Sequence, residues 1–142
     1  YEILRDHLYP SLLMVLSKNL HEEYPQRIFE ISKVFSKDSR SPNGIREDYH
    51  LATAISHSTA NYTEAKSILS SLFSQAFNLS IDTIPTHHPS FTSGRVAKII
   101  SAKRKLGIIG EISPLVLENF RLRNPVSVFE IDLSKVINII KQ

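Results

Sequence analysis

Cysteine and tryptophan are missing from this chain, methionine occurs once and glycine four times. Without cysteine there can be no disulfide, no thiolate metal site and no cysteine nucleophile. The glycines at 44, 94, 107 and 110 cannot assemble a phosphate-cradling loop, and no Gly-x-Ser-x-Gly elbow is present to expose a serine nucleophile. No apolar run approaches the ~20 residues a membrane helix needs. A large excess of charge is missing too. Seventeen Lys and Arg against fourteen acids leave +3, which permits RNA contact without supplying the dense basic patch of a dedicated nucleic-acid binder. There is no repeat and no low-complexity tract. The amino end, Tyr1-Glu2-Ile3-Leu4-Arg5, lacks the basic leader and apolar core of a signal peptide and has no initiator Met. It reads as the start of a piece of a longer, cytoplasmic protein.

What is present is ordinary for a globular protein: 142 residues, 42% hydrophobic and 22% charged, a length that fits one domain over 1–142. Residues 1–8 fit either a short strand or a helix start. Pro10-Ser11 opens a helix predicted to reach about His21, with Leu12, Leu13, Leu16 and Leu20 on one face. Residues 27–35 alternate as a strand, and 36–47, rich in Ser, Pro, Asn and charge, reads as a loop. A strand is expected over 48–57. Asn61 with Glu64 resembles a capping box ahead of a helix over about 62–77, whose stripe is Ala65, Ile68, Leu69, Leu72, Phe73 and Ala76. A short strand at 80–86 follows.

The densest signal lies between His88 and Leu133. Two β-prone runs, 96–101 and 106–112, flank the charged break Lys103-Arg104-Lys105 and predict a hairpin. Gly107 and Gly110 inside the second run point to a bulge or a close backbone approach. Ser113-Pro114 is a helix start, and Asn124-Pro125 a stop. Residues 126–133 alternate as a strand with one face more apolar than the other, so one packed side is expected. A last helix over 134–141 should turn Val136, Ile137 and Ile140 inward. Leu72 and Ile109 sit mid-pattern and should be buried. The sum is an α+β plan, a mainly antiparallel sheet flanked by helices.

Chemistry is harder to find. His87-His88 point to opposite faces if extended and have no acid or cysteine at ligand spacing, so one packed and one solvated histidine is expected and not a metal site. No catalytic, cofactor-binding or metal-ligating residue is nominated. Asn61-Tyr62-Thr63 and Asn78-Leu79-Ser80 fit the glycosylation sequon but read as a helix cap and a turn.

Several short motifs, taken together, resemble one family. His88-Pro89, Gly94-Arg95-Val96-Ala97, Gly107-Ile108-Ile109-Gly110-Glu111-Ile112-Ser113-Pro114 and Phe129-Glu130-Ile131-Asp132-Leu133 are similar to the synthetase-core-like domain in the β subunit of phenylalanine–tRNA ligase, archaeal and eukaryotic form. Leu4-Arg5, Leu8, Pro10 and Leu12-Leu13 resemble the family's helix-leading motif, and residues 28–35 the strand after it. The resemblance implies a degenerate class II aminoacyl-tRNA synthetase core. In an active class II enzyme an arginine would follow Phe35 and hold the ATP α-phosphate; here Ser36 stands there, with Asp38 at the glutamate position. Residues 129–135 replace the late Gly-rich segment and its arginine, and Glu130 and Asp132 would repel a triphosphate. Lys33 and Lys37 fall on the strand face opposite Ser36, so no fixed cation is expected to substitute. The resemblance further implies a non-catalytic module that scaffolds a catalytic α subunit in an α2β2 heterotetramer, with ATP, magnesium and tRNA(Phe) handled by the holoenzyme. The rival expectation is an independent RNA-binding domain using Lys103, Arg104, Lys105, Arg121 and Arg123. A single basic stripe would favour it, and scattered charges would count against it.

Overall fold

A computed structural model describes residues 5–142. In chain order the elements are α1 (Tyr9–Lys18), β1 (Gln26–Lys37), β2 (Ile45–Ser56), α2 (Tyr62–Leu72) continued by a π-helical turn (Phe73–Phe77), β3 (Asp82–Pro85), β4 (Phe91–Ser101), β5 (Arg104–Ile112), α3 (Pro114–Asn119), β6 (Val126–Asp132) and α4 (Leu133–Ile140). The six strands form one sheet in the order β1-β2-β6-β5-β4-β3, and every neighbouring pair is antiparallel. The predicted α+β plan is therefore the architecture found.

Helices cover both faces. α1 and α3 pack on one through Leu12, Leu13, Leu16, Val116 and Leu117, over Val96, Val126 and Val128. α2 and α4 pack on the other through Ala65, Leu69, Phe73, Val136 and Ile139, over Ile55, Ile109 and Ile131. β6 lies inside the sheet with a strand on each side, and all seven of its residues are buried. The expectation of one packed side is corrected here, because helices on both faces leave a central strand no solvent side.

Other expectations shift for local reasons. β1 and β2 extend to Lys37 and back to Ile45, so the predicted 36–47 loop shrinks to residues 38–44. That turn is held by its own polar side chains: Asp38 accepts the Arg40 N–H at 2.9 Å and Asn43 accepts the Ile45 N–H at 3.1 Å. β4 begins earlier, at Phe91, and β3 is shorter than 80–86. α1 ends at Lys18, leaving Leu20 only half-buried beyond it. Asn61 caps α2 by accepting the Glu64 N–H at 2.9 Å, while the Glu64 carboxylate turns away to His57 and Arg27. The π-helical turn adds a residue to the helical repeat, which exposes Ala76 and turns Phe77 inward instead. α4 starts at Leu133, one residue early, and buries Val136 and Ile139; Ile137 and Ile140, expected inward, are about half exposed. Ile109 is fully buried, but Leu72 is only half-buried, because the edge strand β1 does not close over it.

The glycine expectation holds. Ile99 pairs with Gly107 and Ile100 with Lys105, so Leu106 is the extra residue of a bulge. A Cβ on Gly107 would overlap the Glu130 carbonyl, so only glycine lets β5 lie this close to β6.

Candidate functional site

The end of the sheet where a class II core would hold nucleotide is built from the C-terminal end of β1, the start of β2, the end of β6 and the residues leading into α1. Residues opposite one another in an antiparallel ladder share a face. Ser36 therefore looks the same way as its partner Arg46, and Ser32 the same way as His50 and Asp132. α1 covers this face.

Glu130 sits at its centre, and its side chain is 2% exposed. A buried carboxylate needs donors, and α1 supplies them. The helix starts after Leu8 without a capping side chain and without an acid in its first turn. Its free amides are satisfied from across the sheet: Glu130 Oε1 accepts the Leu8 and Tyr9 N–H groups, each at 2.9 Å, and Oε2 accepts Leu8 N–H at 3.0 Å. A carboxylate at this position also complements the positive end of the helix. His50 Nδ1 lies 2.6 Å from Oε2 and His7 Nδ1 3.7 Å away. Burial pushes the Glu130 carboxyl up, but the hydrogen bonds from His50, His7 and the two amides outweigh it and hold it down to about 2. The Glu130 carboxylate in turn raises His7 above the usual imidazole range. Asp132 has a parallel job, accepting the Lys135 N–H at 3.1 Å to cap α4. Both acids predicted to repel phosphate are thus engaged in starting helices.

Around Glu130 lies a cavity of about 150 Å³ lined by His7, Tyr9, His50, His88 and Lys105. His88 is the packed member of the histidine pair and His87 the solvated one, as expected. Burial lowers His88 from its ordinary value, with the charges of His7 and Lys105 adding to it. No acid stands at ligand spacing from His88 in sequence, yet the fold brings Glu130 to the same cavity from 42 residues away.

The expectation that no strand-borne cation faces the Ser36 side is also corrected. Arg46 does, but its Nε is 2.9 Å from Asp48 Oδ2. Lys33 lies on the opposite face, 3.6 Å from Glu47, as expected. Arg5, of the helix-leading motif, bonds Ser11 at 3.1 Å and Glu30 at 3.2 Å. Lys105 and Lys135 line the cavity beside Ser36 together with Arg46, Asp48 and Asp132. The arginine on that face is neutralised, and two carboxylates take the place of a Gly-rich backbone.

The basic residues of the rival expectation do not form one stripe. Lys103, Arg104 and Lys105 are at the β4–β5 turn, while Arg121 and Arg123 follow α3 at the far end of β5. The seven strand residues 106–112 separate the two groups by roughly 23 Å at ~3.3 Å per residue.

The opposite face of the β1–β2 hairpin differs in kind. Phe29 and Ile31 are 70% and 54% exposed on the edge strand, beside the half-buried Ile68 and Leu72 of α2. Together with Leu51 and Thr53 they line an apolar groove of about 460 Å³.

Comparison with known proteins agrees with this architecture. Residues 1–133 match the family described as phenylalanyl tRNA synthetase beta chain CLM domain. A curated relative from Methanocella arvoryzae, phenylalanine–tRNA ligase beta subunit, is 41% identical over 135 residues, covering 94% of this chain and 24% of the relative. The protein of that name from Pyrococcus abyssi is 45% identical over 134 residues, again 94% of this chain and 24% of the relative. The chain thus spans about a quarter of the length of these relatives. Among solved structures, a pyrrolysyl-tRNA synthetase from Desulfitobacterium hafniense superposes with a TM-score of 0.76 at 17% identity, over 97% of this chain and 50% of that one, which establishes a likeness of fold.

Proposed function

The chain belongs to the CLM-domain family of phenylalanyl tRNA synthetase beta chains, and from that premise we propose that it is a non-catalytic synthetase-like core that scaffolds the catalytic α subunit of phenylalanine–tRNA ligase. The observation that carries this reading is Glu130. In the place where an active core would present phosphate-binding groups, a buried carboxylate is committed to the first amides of α1 and to two imidazoles. A triphosphate there would have to displace a helix cap and meet uncompensated negative charge.

The groove on the other face supports the scaffolding half of the reading. A long edge strand with exposed Phe29 and Ile31 is an aggregation hazard unless something covers it. A subunit named β implies another chain, and the occupant we assign is an apolar segment of the α subunit. The wider assembly follows the same reading: an α2β2 heterotetramer of the cytoplasm, with ATP, magnesium, phenylalanine and the tRNA(Phe) end handled by the holoenzyme.

The test uses the full β chain. Calorimetric titration with ATP and magnesium should be flat, and phenylalanine activation should appear only when the α subunit is added. Saturable micromolar heat from β alone, weakened by changing Ser36 or Arg46, would replace scaffolding with an enzymatic role.

A further inference from the structure

Capping α1 requires one carboxylate and two amides. It does not require imidazoles, yet two histidines stand against Glu130 and a third lines the cavity around it. His7 arrives from the segment before α1, His50 from β2 and His88 from the turn before β4. One ligand atom each of His7, His50 and Glu130 lies within 4.8 Å of the other two. We infer that His7, His50 and Glu130 form a binding site for a divalent transition ion of the zinc class.

The geometry is close to what such an ion needs. Bonds of ~2.0–2.2 Å at a tetrahedral centre set ligand atoms roughly 3.3–3.5 Å apart. The two imidazole-to-carboxylate separations, 2.6 and 3.7 Å, lie on either side of that spacing, so small side-chain rotations bring both into range. The ligand set, two nitrogens and one oxygen, suits zinc, cobalt, nickel or iron and not magnesium or calcium, which prefer all-oxygen shells. The carboxylate is already oriented. Oε1 keeps both backbone amides while Oε2 turns toward the imidazoles, the outer-shell hold that metal-ligating carboxylates use. On binding, His50 carries its proton on Nε2 and the ion takes the place of the hydrogen bond between Nδ1 and Glu130 Oε2.

Three protein ligands leave a fourth position, which opens into the 150 Å³ cavity. His88 is not free to fill it as it stands. Its Nδ1 accepts the Ser90 N–H at 3.1 Å, so the ring carries its proton on Nε2 and can donate to a bound water. Lys105, on the same wall, places positive charge by that position and suits a water or small anion there.

The experiment compares the full β chain, stripped with a strong chelator, with its His7→Gln and His50→Gln variants. Zinc equivalents are measured against a chromophoric competitor, and cobalt is added as a spectroscopic probe. His7 is 45% exposed on its side chain, so its replacement leaves the fold intact even if that of His50 does not. The intact chain should hold one zinc more than His7→Gln. Either ligand change should weaken that site by at least the ~10–100-fold that outer-shell changes cost. Cobalt should add a visible band, absent in the variants, and zinc should raise the melting temperature of the intact chain alone. A His87→Gln control, altering the solvated neighbour, should behave like the intact chain. Equal zinc stoichiometry and identical cobalt spectra for the intact chain and His7→Gln would overturn the inference and leave the histidines as partners of a helix cap. Binding only at millimolar zinc would overturn it equally.

Discussion

On one face of the β1–β2 hairpin polar side chains are shielded among apolar ones; on the other, large apolar side chains are exposed. Glu30, Ser32 and His50 lie half-buried beneath α1, beside the fully buried Glu130 of β6. Phe29, Ile31 and Tyr49, one residue out of phase, stand largely in solvent. A free-standing globular protein has no use for this inversion, since each side bears a cost. The polar side is explained internally, by the amides of α1. The apolar side has no partner among the described residues, and that difference separates what the fold needs from what an assembly needs.

The contrast can be broken most strongly from the inside. Glu130→Ala removes the cap of α1 and leaves two imidazoles and two amides around a void. It should cost about 3–5 kcal/mol, as removal of one partner of a buried pair does, read by urea denaturation. Acid should act on the same group without mutation. The folded carboxyl is depressed to about 2 from an ordinary 4.5, so its contribution is fully present above about 4.5 and lost as pH falls toward 2. His7 has the opposite sign. Raised when folded, it stabilises below 6.5, and that share fades as pH rises past its folded value. Melting the chelator-treated chain across pH should therefore show a shallow decline above 6.5 and a steeper one below 4.5 that Glu130→Gln abolishes.

The apolar positions sharpen the comparison. Ile109→Ala, at a fully buried site, should cost about 2–5 kcal/mol. Leu72→Ala, on the groove, should fall below that range in the β chain alone and approach it in the complex, as thermal melts of the two preparations would reveal. The smallest effect on stability belongs to Phe29→Asp, within about 0.5 kcal/mol for an exposed site. Its effect on co-purification with the α subunit should be large. A drop in the stability of β alone would instead mean that another part of the β chain fills the groove.

How much was legible in the sequence follows from how local each signal is. The α2 stripe declared its helix through Ala65, Leu69 and Phe73, and the glycines at 107 and 110 announced a close approach. Alternation in β6 marks a strand but not a doubly buried one, because neighbours on both faces come from distant segments. Leu72 differs for the converse reason: its stripe faces an edge that nothing among the described residues closes. The cluster at Glu130 was invisible, since its members are separated by 43 and 80 residues and no spacing rule spans such gaps. One signal could have pointed to it. A helix that begins Leu8-Tyr9-Pro10, with neither a capping side chain nor an acid in the first turn, must find its acceptor elsewhere. Glu30 and Glu130, each set between Phe and Ile in a strand pattern, are the acids such a signal would single out.

The hydrogen bonds from Leu8 and Tyr9 to Glu130 join positions 122 and 121 residues apart. On a ribosome, α1 is among the first parts of this chain to emerge and Glu130 among the last. The helix therefore cannot acquire its cap until nearly all of the sheet has been synthesised, and closing so long a loop is entropically demanding. Until then its apolar face of Leu12, Leu13 and Leu16 rests on a floor that lacks Val126 and Val128. The vulnerable period for this fold is the interval between the synthesis of α1 and that of β6.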